Sequence, residues 1–147
     1  MTDTIAFALD GREVLAQPGE TIWAVAQRSG IEIPHLCYSP APGYRPDGNC
    51  RTCMVEIEGE RVLASSCNRL PETGMVVHSV SERARFARAM VIELLVADQP
   101  TRSASHDPDS EFWQWAERIG QVESRFPKRV APPSDTSHPA MLVNLDS

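Results

Sequence analysis

All four cysteines of the chain, Cys37, Cys50, Cys53 and Cys67, lie within residues 34–67. Arg51 and Thr52 alone separate Cys50 from Cys53; twelve residues stand between Cys37 and Cys50, and thirteen between Cys53 and Cys67. Thiolates are preferred ligands of iron-sulfur clusters and of zinc. A 2Fe-2S cluster takes four of them, two on each iron, and is too compact to be surrounded by consecutive residues of a helix or strand. A loop has to wrap it. Between Cys37 and Cys50 the chain reads YSPAPGYRPDGN, where Pro40, Pro42 and Pro46 fix φ and Gly43 and Gly48 permit positive φ. Such a loop can turn its amide hydrogens toward sulfur, which matters because the oxidised cluster with its thiolates carries two negative charges and reduction adds a third. Arg51 reads either as a cation beside that charge or as a solvent-facing loop residue.

Other uses of four cysteines stay open at this point. A zinc ribbon carries two close Cys-x2-Cys pairs, and here there is one, which does not exclude zinc. Disulfides suit a small secreted domain, but MTDTIAFALDG has neither a basic n-region nor a long apolar core. Reduced thiols and no export signal point to the cytoplasm. With 14 basic and 20 acidic residues the net charge is −6, and no basic stripe invites nucleic acid. No apolar run approaches the length of a membrane span.

The surrounding elements are readable from periodicity. Ile5, Phe7 and Leu9 alternate with smaller residues, so 4–9 reads as a half-buried strand, Asp10-Gly11 as a hairpin turn and 12–16 as its partner. Thr21 can cap a helix with Ile22, Val25 and Ala26 on one face, ended by Gly30. Residues 54–57 alternate as a strand, Glu58-Gly59-Glu60 turns the chain into a partner at 61–63, and 75–79 makes a last β-prone run after Gly74. Ser81 is expected to cap a helix over 82–97 with a broad apolar face made of Phe86, Met90 and Leu94 beside Ala87, Val91 and Leu95. Hairpin, helix, metal loop and further strands in this order fit an α+β fold, a β-grasp ferredoxin-like domain followed by a helical, partly irregular C-terminal extension.

The run IPHLCYSPAPGYRPDGNCRTCMVEIEG, followed by Cys67 in LASSCNRL, resembles the amino-terminal 2Fe-2S domain shared by the large subunit of respiratory complex I, iron-hydrogenase and diaphorase subunits, and the alpha subunit of NAD-dependent formate dehydrogenase. It looks most like the last. Plant-type ferredoxins differ, with four residues between their first two ligands. The resemblance is specific over about residues 1–98. It implies Cys37, Cys50, Cys53 and Cys67 as ligands of one 2Fe-2S cluster. His35 is then expected beside the site or at the surface, and His78 in a strand.

In complex I-like relatives the helix is followed by one histidine and three cysteines that bind a 4Fe-4S cluster. Here His106 could match the histidine, but the later ligand positions fall near Ser110, Trp113 and Ile119, so no second cluster is expected. Phe112, Trp113 and Trp115 read as a packing anchor on a short helix begun near Asp109. The resulting division is 1–80 for the 2Fe-2S domain, 81–126 for the helical extension, and 127–147 for a Pro-rich linker and the start of a next module. The final HPAMLVNLDS resembles the strand that leads into a cysteine-rich module in formate dehydrogenase relatives, which points to a piece of a larger subunit.

The expected function is one-electron transfer through the cluster within a cytoplasmic NAD-dependent formate dehydrogenase. Its partners would be a molybdenum or tungsten catalytic part and a flavin- and NAD-binding subunit. No catalytic residue is expected, since the chain has no GxGxxG fingerprint, phosphate loop or spacing that implies a triad or carboxylate pair. The alternatives are a stand-alone ferredoxin-like carrier, a diaphorase or hydrogenase subunit, and a structural zinc-binding docking module.

Overall fold

In the computed structural model, which describes residues 4–144, the alternation of Ile5, Phe7 and Leu9 becomes strand β1 (Ile5–Leu9). Asp10 and Gly11 both take positive φ, 49° and 78°, the geometry of a two-residue hairpin turn whose twist suits the flanking strands. Strand β2 (Arg12–Ala16) pairs antiparallel with β1, from Ile5↔Ala16 to Leu9↔Arg12. Helix α1 (Ile22–Arg28) follows, its cap Thr21 accepting from the Ala24 amide at 3.2 Å. Strands β3 (Met54–Ile57), β4 (Ala64–Ser65) and β5 (Val76–His78) complete a five-stranded sheet in the order β2-β1-β5-β3-β4. β5 runs parallel to β1 and antiparallel to β3. This is the expected α+β, ferredoxin-like architecture.

Phe7, Leu9, Val55, Ile57 and Val77 from the strands meet Ile22, Trp23, Val25 and Ala26 of α1 in one buried core, which also takes in Cys53 and Cys67. Each large aliphatic side chain so buried contributes about 1.5–3 kcal/mol. The hairpin turn is tied to the end of β5, because the Asp10 carboxylate accepts from both the amide and the hydroxyl of Ser79, at 2.6 and 2.5 Å.

Two expectations need correction. The partner of β3 is not 61–63 but Ala64–Ser65, in the register Met54↔Ser65 and Val55↔Ala64. The turn at Glu58-Gly59-Glu60 carried the reading, yet Val62 is exposed, and the later register sets Ser66 opposite Cys53. Helix α2 (Glu82–Asp98) begins as expected, the Ser81 hydroxyl accepting from the Ala84 amide at 3.2 Å, but it buries another face. Ala84, Arg88, Ile92 and Val96 are buried, whereas Phe86 is 66% and Leu94 51% exposed. Both faces repeat every four residues and both carry apolar side chains, so periodicity cannot choose between them. Polar contacts do: Arg83 lies 3.6 Å from Glu56, and Arg88 donates twice to the carbonyl of Met54.

The chain divides into two compact units, residues 1–88 and 89–147, the division falling within α2. In the second unit, helix α3 (Glu111–Ile119) buries Trp113 and Ala116 and ends on Gly120 at φ 79°. Its cap is Ser110, the residue after Asp109, near which the helix is expected to begin. Glu93 is bonded by the Arg125 amide and guanidinium at 3.1 and 3.0 Å. Residues 127–144 are irregular apart from the bridge Asp135↔Val143. His106 meets the side-chain amide of Asn144 at 2.9 Å. The strand expected from residues 138–147 extends into 145–147, which lie outside the described residues.

Candidate iron-sulfur site

Cys53 and Cys67 are placed by the β3–β4 ladder. Cys53 immediately precedes β3 and Cys67 is the second residue after β4, so the register brings the two segments side by side. Ser66 locks them, its amide and hydroxyl both donating to the Cys53 carbonyl, at 3.1 and 2.7 Å. The first amides of a helix have no partner inside it. In α1 they find one in the segment around Cys67, Ile22 donating to the Arg69 carbonyl and Trp23 to the Ser66 carbonyl, both at 2.9 Å.

The Cys37 segment is held by the side chain of the same Trp23. Its indole N–H donates to the Ile33 carbonyl at 3.0 Å, and its ring meets His35 and Tyr38 edge-on at 4.6 and 5.1 Å. His35 Nδ1 lies 2.9 Å from the Tyr38 carbonyl, closing the turn around Cys37. The Cys50 amide donates to Cys37 Sγ at 3.5 Å, and the Thr52 hydroxyl lies 3.1 Å from Cys50 Sγ. The Cys50 amide thus turns inward toward sulfur. The turn depends on two left-handed residues, Gly48 at φ 67° and Arg51 at φ 59°. Arg51 is exposed, its guanidinium 3.5 Å from the Ser65 hydroxyl.

All four cysteines are free thiols, and they come as two pairs: Cys37 with Cys50, half-buried, and Cys53 with Cys67, each 1% exposed. Contact with the Cys67 sulfur pulls the Cys53 thiol down to about 6 against the opposing push of burial. The same contact, then burial and the charges of the other cysteines, pushes the Cys67 thiol far up. Contact between the two sulfurs thus favours one thiolate beside one thiol. Burial raises the Cys50 thiol, but hydrogen bonds from Thr52 and Cys37 outweigh it and leave the group below its ordinary value. Four sulfurs this close become thiolates together only when metal replaces their protons. Soft donors in two pairs, with the Cys50 amide turned inward, fit a 2Fe-2S cluster. Among the described residues, no three His, Cys, Asp or Glu side chains surround one point as ligands of a single ion would.

Four contributors went unread in the sequence: Trp23, Thr52, Ser66 and Arg88. Trp23 carried a signal, since a tryptophan beside a helix's apolar face needs an acceptor for its N–H when buried. Arg88 is 6% exposed, and its Nε and Nη2 reach the Met54 carbonyl at 2.9 and 2.6 Å. His78 sits in β5 against Glu58 at 2.8 Å.

A ferredoxin-like sheet with a four-thiol cradle at the open end of its β3–β4 ladder defines an iron-sulfur electron-transfer domain. Residues 2–82 match the 2Fe-2S iron-sulfur cluster binding domain, and the chain belongs to that family, with one 2Fe-2S cluster as its cofactor. The chain is 34% identical over 124 residues to the mitochondrial NADH-ubiquinone oxidoreductase 78 kDa subunit of Candida albicans, covering 83% of this chain and 17% of that protein. It is 35% identical over 127 residues to the NADP-reducing hydrogenase subunit HndD of Solidesulfovibrio fructosivorans, covering 83% and 22%. A crystal structure of an NAD+-reducing NiFe-hydrogenase in the H2-reduced state superposes with a TM-score of 0.77 at 30% identity, covering 92% of this chain and 57% of that one. The chain therefore spans about a fifth of the length of these two sequence relatives.

Proposed function

We propose that Cys37, Cys50, Cys53 and Cys67 are the cluster's ligands, Cys37 and Cys50 on one iron and Cys53 and Cys67 on the other. The pairing of the thiols is the observation that carries this reading. When bound, the cluster takes up one electron and returns it, with no substrate bond made or broken. The chain's own part is to hold the sulfurs through Trp23 and Ser66, direct the Cys50 amide inward and keep water from Cys53 and Cys67.

The larger reading places the chain in the alpha subunit of a cytoplasmic NAD-dependent formate dehydrogenase, relaying electrons between a molybdenum or tungsten centre and a flavin- and NAD-binding subunit. Formate rests on the resemblance of residues 33–59 and the Cys67 segment. The cytoplasm rests on four free thiols; no helix among the described residues is long and apolar enough to cross a membrane. Residues 1–80 serve as the cluster domain, 81–126 as a helical extension without a second cluster, and 127–147 as a linker into a next module. A hydrogenase or diaphorase subunit is the second reading, favoured by the likeness to the NAD+-reducing hydrogenase.

Two measurements test these readings. Anaerobically purified chain should hold about two irons and two sulfides and give a rhombic paramagnetic signal only after reduction. Cys50→Ala should abolish that signal, and an unchanged one would sink the ligand assignment. A native complex purified through this chain should reduce NAD with formate; reduction with dihydrogen instead would make it a hydrogenase.

A further inference from the structure

Arg88 is a buried guanidinium bonded to a single carbonyl, that of Met54, next to Cys53. Arg28, Arg69, Arg83 and Arg125 each meet a carboxylate within 4 Å. Among the described residues Arg88 meets none. A buried cation is costly unless an anion lies near enough to offset it. Donating to one carbonyl does not require a charge, since a neutral amide could do it. The groups whose fields reach Arg88 are Cys53 and Asp10, which are negative, and Arg85, which is positive. Asp10 is already engaged by Ser79. Of the two negative groups Cys53, at the thiolate end of the cradle, acts on Arg88 the more strongly.

We infer that Arg88 is the cation that favours the reduced state of this site, acting on it through its field from behind Cys53. The inference rests on the ligand reading above. Reduction adds one electron, from a reduced flavin or iron-sulfur partner, and so one negative charge, with no bond formed or broken. A fixed positive charge in a dry environment stabilises that added charge more than the same charge in water. Arg51, the cation the sequence places between two ligands, is exposed and screened. Arg88 also remains charged at any working pH, as guanidinium does in proteins.

The test is a redox titration of the full chain, loaded anaerobically, followed by paramagnetic resonance with dithionite as reductant. At the wild-type midpoint, Arg88→Gln should lower the ratio of reduced to oxidised cluster about tenfold, equivalent to ~59 mV for one electron. Arg88→Lys, which keeps the charge, should stay within about threefold of wild type, and Arg51→Gln should shift the ratio less than Arg88→Gln. The inference is overturned if loaded Arg88→Gln keeps the wild-type ratio, if Arg51→Gln shifts it as far, or if Arg88→Lys falls tenfold. Should only the lysine variant load, its ratio decides. If neither variant loads, Arg88 is a structural anchor and the inference fails. Failure of the ligand reading is seen separately, as an intact signal in Cys50→Ala.

Discussion

The hydroxyl of Ser66 donates to the carbonyl of Cys53 at 2.7 Å, alongside the Ser66 amide at 3.1 Å, so one buried acceptor is held twice by a residue adjoining Cys67. The lock joins two cysteine-bearing segments before any metal is involved.

Ser66→Ala removes one of those donors and leaves the carbonyl partly satisfied. The expected cost is about 1 kcal/mol, the usual net worth of such a bond. Urea unfolding of the metal-free chain measures it, and an unchanged midpoint would mean that the amide alone suffices.

Trp23→Phe keeps a ring between His35 and Tyr38 but strips the donor from the Ile33 carbonyl. Leaving that buried acceptor unpaired should cost about 1–3 kcal/mol. The loosening should be local: under native conditions Cys37 should be alkylated faster in the variant while Cys53 stays protected. Equal acceleration at both would show that Trp23 supports the whole core and not the loop.

Much of this arrangement can be read from the sequence, and the exceptions share a cause. β1, β2, β3, α1 and both serine or threonine caps follow from alternation, turn residues and cap chemistry within a few residues of chain. The β4 register, the buried face of α2 and the role of Arg88 depend on what lies across the fold. An arginine on a helix ordinarily reads as solvated, and nothing within its own helix announces that Met54 will offer it a carbonyl. The cysteines are legible as a set because their spacing is unusual. Their division into pairs is not, since it follows from Met54↔Ser65.

Gly48 adopts φ 67°, and a methyl group there would lie 2.6 Å from Asn68 Nδ2. The Asn68 side chain can yield only by giving up its bond from the Ser65 hydroxyl, 2.6 Å long. Gly43, at φ 89°, faces open space. Both alanine substitutions are strained by roughly 1–3 kcal/mol, but Gly48→Ala should cost about 1 kcal/mol more, the bond it breaks. Equal unfolding midpoints for the two variants would argue against close packing of this loop on residues 65–68.

The metal-free chain should have a stability maximum on the alkaline side. Unfolded, Cys53 and Cys67 both ionise near 9.0; folded, Cys53 ionises near 6 and Cys67 holds its proton. Between those values the unfolded chain binds more protons, so stability rises with pH and is lost as pH falls through about 6. Above 9.0 the unfolded chain has lost both protons while the folded pair keeps one, and stability falls again. Denaturant midpoints across this range should trace that rise and fall. A steady decline from neutral pH upward would rule out one thiolate beside one thiol.

The central strand of the sheet is also the last to be made. β5 lies between β1 and β3 in space but follows every other strand in the chain. While the protein is being synthesised, the β1–β2 hairpin and the β3–β4 pair that carries Cys53 and Cys67 therefore share no strand neighbour until residues 76–78 emerge. By then all four cysteines are already outside. The strand that joins the two halves of the sheet thus becomes available only after every cysteine of the cradle has been made.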